Sequence, residues 1–406
     1  LKQCAPARED LKLLSDYYRL RAQKYEALGE ILQSEKTCMI TGFIPKRDAK
    51  GLEEKLNSRF ELAVESSDVP EDEEAPVLLS NGTFAASAEG VTASFGLPAK
   101  GEMDPTGIMA ACYVFLFGLM LSDAAYGFIV FLMCFLALKK FPRMEENLRK
   151  SLRLFMYCGL STLFWGVMFG GYFGDMPLAL IRAFNPEAEL PSTLAIVVDP
   201  VAEPTTFLLI ALALGFVHLV AGQAIKFSIV WKASPVDAIC DYALFWALYG
   251  GLIMLIIVPS VGKWIAIGAA AAIVLTGGRK EKNILMRIPK GFLALYGIVS
   301  FGSDILSYSR ILALALSGSV LAQVMNILGT MGSSPISVVV GMIFVFIVGH
   351  TINLALSTLG SFVHTSRLQY IEFFGKFYED GGRPYAPAEP SERYSDYDMP
   401  AQDQIS

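Results

Sequence analysis

Gly302-Ser-Asp-Ile-Leu-Ser-Tyr-Ser-Arg-Ile-Leu-Ala-Leu-Ala-Leu-Ser317 is among the most apolar stretches of this chain, and it carries an arginine at position 310. A guanidinium does not lose its proton in a protein, so Arg310 would be a fixed positive charge inside a lipid layer. Burying such a charge costs from about 2.5 to more than about 10 kcal/mol. A helix that only had to span the membrane would carry leucine here, which indicates that Arg310 has a function.

The chain has 406 residues, of which 53% are hydrophobic, and the apolar residues are unevenly distributed. Residues 1 to about 107 have the composition of a water-soluble segment, whereas 108–375 form successive apolar blocks. This pattern predicts a mainly α-helical, multi-pass membrane protein with a soluble head. The net charge of −6 includes acidic loops such as 68–74, and there is no basic cluster dense enough to bind a phosphate backbone. We therefore expect a lipid bilayer around the chain and no nucleic-acid partner.

No motif of the sequence predicts a cofactor, a metal site or a catalytic site. The six cysteines are scattered, with no CxxC pair and no histidine at metal-ligand spacing, and we interpret them as small buried hydrophobic residues. There is no glycine-rich phosphate loop and no Ser/His/Asp set. We expect the chain to move a substrate without making covalent bonds.

The soluble head begins with a predicted amphipathic helix over 8–35. Its apolar residues are three or four apart: Leu11, Leu14, Tyr18, Ala22, Tyr25, Leu28 and Leu32. Such a helix needs a partner, so we expect the second arm of a coiled coil upstream, in a longer polypeptide. Extended stretches at 37–45 and 61–64, with a helix at 49–60 between them, predict a small α/β unit at the end of the arm. Any small α+β domain would fit these elements equally well.

Loop charges indicate how often the apolar blocks cross the membrane. The blocks fall at about 108–138, 151–173, 204–230, 238–258, 262–276, 292–330 and 335–375. The loop after the first block is rich in cations: Lys139, Lys140, Arg143, Arg149, Lys150 and Arg153. Residues 175–203 contain one cation, Arg182, against five acidic residues, so the positive-inside rule makes the first loop cytoplasmic and the second one not.

A cytoplasmic head then requires the block 108–138 to cross twice, with its interruption at Ser122-Asp123. The count becomes eight transmembrane helices with both termini in the cytoplasm. The predicted domains are 1–103 for the arm and the small α/β unit, 104–378 for the membrane domain, and 379–406 for a cytoplasmic tail.

The last two blocks are too long for simple passes. As single helices, 292–330 would measure about 58 Å and 335–375 about 60 Å, against a hydrocarbon layer of roughly 30 Å. We expect both helices to be long and steeply tilted, or to extend beyond the membrane.

Each of these blocks carries a seam of polar residues at helical spacing. The first seam is Ser300, Ser303, Ser307, Arg310 and Ser317, and the second is His350, Asn353, Ser357, Ser361, His364 and Arg367. Serine seams also occur where helices pack closely, and a single histidine is usually a satisfied packing residue. Two histidines with asparagine and arginine on one line favour the wall of a wet passage.

Neither arginine has an acidic residue at suitable spacing in its own seam. Asp304 lies off the Arg310 seam, Asp123 lies in another block, and we expect Glu372 near the cytoplasmic edge. The counter-charge is therefore expected to come from elsewhere, such as another subunit.

Four stretches of the membrane part form a recognisable combination: 304–317, Gly349-His-Thr-Ile-Asn-Leu-Ala-Leu356, Phe362-Val-His-Thr-Ser-Arg-Leu-Gln-Tyr-Ile-Glu-Phe-Phe-Gly-Lys-Phe-Tyr-Glu379 and Phe117-Gly-Leu-Met-Leu-Ser-Asp-Ala-Ala-Tyr-Gly127. Together they resemble the large membrane stator subunit of rotary V/A-type ATPases, called subunit a in vacuolar enzymes and subunit I in archaeal and bacterial ones. The resemblance covers nearly the whole membrane part and extends to Thr41-Gly-Phe-Ile-Pro45 and the helical arm.

The resemblance implies a role in ion transport beside a ring of proteolipid subunits, each with a carboxylate in the membrane. It also implies two aqueous half-channels, peripheral stalk subunits, a central stalk and a soluble ATPase sector as partners, and a prokaryotic plasma membrane as the location. Arg310 would be the stator arginine and Arg367 the second arginine. The candidate ion-translocation residues are Arg310, Arg367, His364, Asn353, Ser357, His350, Ser307, Ser303, Asp304 and Asp123.

One position departs from the pattern of the vacuolar members. They have an acidic residue seven positions before the histidine that corresponds to His364, whereas this chain has Ser357 there. Because serine does not titrate, the path would use water, His364 or another subunit, or the ion would be sodium. The predicted function is coupling of ring rotation to H⁺ or Na⁺ transport. A secondary ion-coupled transporter is the alternative, but it would predict repeated halves, and the arginine-bearing helices have no counterpart among the earlier passes.

Overall fold

A computed structural model describes residues 7–387 except 30, 35–36, 71–72, 143, 186, 188–190, 192, 280–283 and 333. The predicted tail beyond 387 and Arg143 of the charge argument lie outside the described residues. The chain divides into two compact units, Leu1–Leu78 with Gly382–Ser406, and Leu79–Gly381. It is mainly helical with small sheets.

The first unit contains short elements around one long helix. Its elements are α1 (Arg8–Gly29), β1 (Leu32–Gln33), β2 (Cys38–Met39), α2 (Lys46–Arg59) and β3 (Pro76–Val77), and it shares β5 (Asp380–Pro384) with the second unit. β1 and β2 are antiparallel with Leu32 opposite Met39, and β3 is parallel to the end of β5 with Val77 opposite Pro384.

The prediction of one helix over 8–35 is wrong at its end. The helix stops at Gly29, a poor helix former, and Leu32 belongs to a hairpin instead. The hairpin is closed by Ser34, whose N–H donates to the Thr37 carbonyl at 2.8 Å. The apolar stripe of α1 is exposed, for example at Tyr18 and Tyr25.

The predicted small α/β unit is corrected in its strands. The helix expected at 49–60 is present as α2, but only Cys38–Met39 of the stretch 37–45 forms a strand, and 61–64 lies outside any strand. Strand pairing needs a partner as well as extended sequence, and the partner of β2 is β1, which was expected to be helix.

The second unit contains the apolar helices and three short elements before them. The short elements are α3 (Thr83–Ala86), α4 (Glu89–Phe95) and β4 (Leu97–Pro98). The helices that follow are α5 (Thr106–Leu121), α6 (Ala124–Lys140), α7 (Glu146–Phe169), α8 (Met176–Phe184), α9 (Pro204–Ala233), α10 (Pro235–Ala238), α11 (Leu244–Ile257), α12 (Pro259–Thr276), α13 (Ile284–Leu306), α14 (Ser309–Thr330), α15 (Pro335–Phe344) and α16 (Thr351–Arg367). Wider π-helical turns at Ile239–Ala243, Val345–His350 and Leu368–Phe373 extend α10, α15 and α16, and a short 3₁₀ turn, Phe374–Lys376, follows the last of them.

Within the described chain, six helical segments are long and apolar enough to cross a membrane: Glu146–Phe169, Pro204–Ala233, Pro235–Ile257, Pro259–Thr276, Ile288–Thr330 and Pro335–Lys376. The helices α5 and α6 are shorter. They are separated at Ser122-Asp123, which confirms the predicted interruption. Ser122 has φ 41°, and the Asp123 side chain caps α6 by accepting from the N–H groups of Ala125 and Tyr126.

The helix α6 packs closely against α7. A Cβ on Gly166 would lie 2.0 Å from the Ala124 nitrogen, so only glycine permits this approach of the two backbones. The expected acidic loop 175–203 also contains a helix, α8, which the charge pattern did not predict.

The expectation of one continuous helix over 292–330 is wrong. The helix is interrupted at Ser307-Tyr308, immediately before Arg310, and the backbone bonds there are short-range: the Tyr308 N–H donates to the Ile305 carbonyl and the Ile311 N–H to the Tyr308 carbonyl, both at 3.0 Å. The last block is helical throughout Pro335–Lys376, although it contains two π-helical turns.

Two neighbouring glycines of α11 provide a matched test of the packing between α11 and α12. A Cβ on Gly251 would lie 2.8 Å from the Ala266 nitrogen, whereas a Cβ on Gly250 meets nothing within 4 Å. We expect Gly251→Ala to destabilise the protein by about 1–3 kcal/mol through overpacking. Gly250→Ala should be neutral or stabilising, because alanine is the better helix former by about 0.5–1 kcal/mol. Thermal melting of the two purified variants in detergent checks this, and equal melting temperatures would contradict it.

Candidate functional site

The two arginine-bearing segments approach each other through small residues. A Cβ on Gly318 of α14 would lie 3.3 Å from the Ser357 Oγ of α16, and one on Gly360 would lie 3.5 Å from a Leu314 methyl group. Small residues at this spacing let two helix backbones come close together. The helices α14 and α16 therefore pack against each other at Gly318–Ser357 and at Leu314–Gly360.

Arg310 lies in the first turn of α14, inside the candidate span Ile288–Thr330. Its side chain is half-buried, and its Nη1 atom is buried with no hydrogen-bond partner in the described protein. Among the described residues, no carboxylate oxygen lies within 4.0 Å of the Arg310 or the Arg367 guanidinium. Arg367 is exposed at the end of α16.

Several buried polar atoms of the last helical segment also lack a partner in the described protein. They are His364 Nδ1, both polar side-chain atoms of Gln369, and Glu372 Oε2. His364 and Glu372 each lie within electrostatic range of Arg310 and of Arg367. These four residues thus form one group, which we call the arginine cluster: Arg310, His364, Arg367 and Glu372.

Glu372, for which we predicted a position near the cytoplasmic edge, is buried, only 3% exposed, and faces Arg310 and Ser307. Its depth in the membrane stays a prediction. On a regular α-helix, positions 367 and 372 would point about 140° apart, since each residue turns about 100°. The segment Leu368–Phe373 is a π-helix, in which residues five apart are hydrogen-bonded neighbours, so Glu372 comes round to the side of Arg367. No feature of the sequence predicted this π-helical turn.

Two of the predicted residues near Arg310 have partners of their own. Asp304 forms an ion pair with Lys376 and so does not neutralise the arginine. The Ser307 hydroxyl donates to the Ser303 carbonyl at 3.3 Å.

The other predicted residues of the last helix belong to a second polar group. His350 and Asn353 are buried, and both contact Tyr126 of α6: Tyr126 Oη lies 2.8 Å from His350 Nδ1, and Asn353 Nδ2 donates to Tyr126 Oη at 3.0 Å. The Ser357 hydroxyl donates to Asn353 Oδ1 at 3.1 Å. On the far side, His350 Nε2 lies 3.0 Å from Asn326 Oδ1.

These contacts form a directed line of hydrogen bonds, which we call the tyrosine–histidine chain. An amide oxygen only accepts, so His350 Nε2 carries the proton towards Asn326, and in a neutral imidazole Nδ1 then accepts from Tyr126. Asn326 Nδ2 donates to the Phe173 carbonyl and to Asp175 Oδ1, at 2.8 and 3.1 Å. The chain thus runs from Ser357 to Asp175.

Sequence reasoning missed Tyr126 and Asn326, because neither belongs to a predicted seam: Tyr126 lies on α6, and Asn326 lies on α14 but off the line of Arg310 and Ser317. Tyr126 was quoted only as part of a motif, and Asn326 stands 16 residues after Arg310 in α14.

A polar cavity of about 260 Å³ adjoins the Asp175 end of this chain. Its lining includes Ser122, Asp175, Arg182, Asp199 and Gln323. The side of the cavity formed by α14 also includes Ser319, so the cavity extends along the arginine-bearing helix.

Asp123 is buried, and its contacts are with backbone. Its carboxylate accepts from the N–H groups of Ala125, Tyr126, Phe173 and Gly174. These bonds join the start of α6 to the loop that ends at Asp175. Among the described residues, Asp123 contacts neither arginine, so the structure gives it an anchoring position and does not bring it into the arginine cluster.

Comparison with known proteins gives a consistent result over most of the chain. The chain is 29% identical over 399 residues to the A-type ATP synthase subunit I of Pyrococcus abyssi, covering 93% of this chain and 58% of that protein. It is 31% identical over 376 residues to the protein of the same name from Thermococcus kodakarensis, covering 90% of this chain and 56% of that protein. It is also 26% identical over 446 residues to the V-type ATP synthase subunit I of Chlamydia pneumoniae, covering 94% of this chain and 65% of that protein.

The chain therefore spans a little over half the length of these relatives. The V-type ATPase 116kDa subunit family matches residues 4–176 and 297–389, which include Tyr126, both arginines and the last helix. The matched residues make up more than half of the sequence, and the chain belongs to the V-type ATPase 116kDa subunit family.

Proposed function

We propose that the chain is the ion-translocating stator subunit in the membrane sector of a rotary V/A-type ATPase, where it couples rotation of a proteolipid ring to transport of H⁺ or Na⁺. One observation carries the proposal: the Arg310 guanidinium lies in a candidate span with a buried, unpartnered Nη1 and no carboxylate within 4.0 Å among the described residues. A cation in this position requires a counter-charge, and a passing ring carboxylate supplies one.

The proposed mechanism follows from the fixed charge of Arg310. A guanidinium favours the ionised form of an approaching carboxylate and so releases the ion that the carboxylate carries. The same charge repels a free cation and prevents leakage from one side to the other. The exposed Arg367 adds to this field on the facing helix.

The two polar groups of the site are the proposed linings of the two half-channels. The cavity beside Asp175 and the tyrosine–histidine chain form the route on the non-cytoplasmic side, since the loop that contains Asp175 is acidic. Glu372 and Ser307, near the Asp304–Lys376 ion pair, form the start of the cytoplasmic route. Ser357 provides a hydroxyl and no titrating group, so ion transfer there proceeds through hydrogen-bonded side chains and water.

The proposed topology has eight passes, formed by the six long segments together with α5 and α6. The cationic end of α6 lies in the cytoplasm with the head and the C-terminal residues. The chain contributes no catalytic residue, and its proposed partners are the proteolipid ring, the peripheral and central stalks and the soluble ATPase sector.

Removal of the Arg310 charge tests the proposal directly. We expect Arg310→Ala to abolish ATP-driven ion uptake in vesicles containing the reconstituted complex, while assembly persists, because the ring carboxylate loses its counter-charge. Uptake is measured with and without sodium, which also identifies the ion. Arg383→Ala is the control, since the Arg383 side chain is 74% exposed. Uptake by Arg310→Ala near the wild-type rate would refute the proposal.

The proposed cytoplasmic route depends on Glu372. We expect Glu372→Gln to lower ion uptake at least about tenfold, because the amide keeps the shape but cannot exchange a proton or hold a cation as a carboxylate does. Glu379→Gln is the matched control, since that side chain is 72% exposed and pairs with Lys226. Equal uptake by the two variants would remove Glu372 from the route.

The topology is tested by labelling single cysteines in sealed membranes of known orientation. We expect a cysteine at Lys139 to react with a membrane-impermeant maleimide only from the cytoplasmic side. A cysteine at Ile196, which is 67% exposed, should react only from the opposite side. Reaction of both positions from the same side contradicts the crossing of α7, and reaction at position 139 from the non-cytoplasmic side contradicts the double crossing of α5 and α6.

A further inference from the structure

The helix break that precedes Arg310 is held by a third histidine, which the seams did not include. Tyr308 occupies the break between α13 and α14 and is fully buried. Its hydroxyl lies 2.6 Å from His218 Nδ1 on α9. The ring of Tyr308 also lies against the α9 backbone, because a Cβ on Gly215 would fall 2.3 Å from Tyr308 Cγ.

The same histidine holds the end of the last helix. The His218 imidazole stacks on Phe373, with ring centroids 4.4 Å apart and planes within 10° of parallel. Phe373 is fully buried and lies over Gly222, whose added Cβ would be 3.2 Å from the ring. Gly215, His218 and Gly222 thus form one face of α9 that receives Tyr308 and Phe373.

Each of the two held aromatic residues is close in sequence to a charge of the arginine cluster. Tyr308 stands two residues before Arg310, and Phe373 directly follows Glu372. The short-range backbone bonds at Tyr308 fix where α14 restarts, and the π-helical turn that ends at Phe373 fixes the direction of Glu372. A shift of either aromatic ring would therefore move a charge.

We propose that His218, Tyr308 and Phe373 are positioning residues, and that the His218–Tyr308 hydrogen bond and the His218–Phe373 stack set the depth and direction of Arg310 and Glu372. The inference rests on the proposed function of these two charges. In this proposal α9 contributes to coupling through the contacts of His218, and its charged residues play no part. Loss of the hydrogen bond leaves the Arg310 guanidinium unchanged but shifts its position, so it is less well aligned with a passing carboxylate.

The test measures ion uptake per ATP hydrolysed in the reconstituted complex, a ratio that a general loss of stability does not change. We expect Tyr308→Phe, which keeps the ring and removes the hydroxyl, to lower this ratio about three- to tenfold, the range expected for one lost hydrogen bond. Tyr296→Phe is the matched control, since Tyr296 is 63% exposed on α13. His218→Gln, which can still bond to Tyr308, should retain a higher ratio than His218→Leu.

Two further variants distinguish a failure of the positioning role from a failure of the proposed function. His218→Leu combined with Tyr308→Phe should lower the ratio no further than His218→Leu alone, because both remove the same bond. A wild-type ratio in Tyr308→Phe, or additive losses in the double variant, overturns the positioning role. Arg310→Ala is measured alongside: retained uptake in that variant overturns the proposed function itself.

Discussion

The structure of the membrane unit is organised around one constraint, a guanidinium that cannot lose its charge and has no carboxylate of its own chain at bonding distance. Arg310 follows a helix break and lies close to Glu372 of a π-helical turn. Its neighbour Tyr308 and the neighbour of Glu372, Phe373, each pack on a glycine of α9. Each of these irregular features is unfavourable for an isolated helix. Together they hold the charge at one position within the candidate span.

The two polar groups of the site are separated by a tightly packed segment. Gly318 contacts Ser357 at the Ser357 end of the tyrosine–histidine chain. Arg310 lies about 12 Å from Gly318 along α14. Between them, Leu314 packs on Gly360, and Ser361 is buried. Under the proposed function, this segment keeps the two half-channels apart, so an ion can cross only when it is carried by the ring.

Several residues of the candidate site could be identified from the sequence, because a polar residue is conspicuous in an apolar block. Arg310, His350, Asn353 and His364 stood out in apolar blocks, and the interruption at Ser122-Asp123 followed from loop charge. The break at Ser307-Tyr308 could not be predicted, since serine and tyrosine are not helix breakers. Tyr308 is held there by tertiary contacts, a hydrogen bond with His218 and packing on Gly215 of α9. The approach of Glu372 to Arg310 could not be predicted either, because helical periodicity assumes regular turns and the last helix contains a π-helical one. In the first unit, the end of α1 could not be predicted, because Leu32 pairs with Met39 in a hairpin that helical periodicity does not indicate.

The central claim is that Arg310 is neutralised by a rotor carboxylate and not by its own chain. The most direct test is an experimental structure of the assembled complex in a lipid bilayer, resolved well enough to place side chains along α14. The account predicts that the Arg310 guanidinium faces a ring carboxylate, directly or through one water, and that Glu372 remains unbonded to it. An Arg310–Glu372 ion pair, or an Arg310 side chain directed away from the ring, would contradict the account.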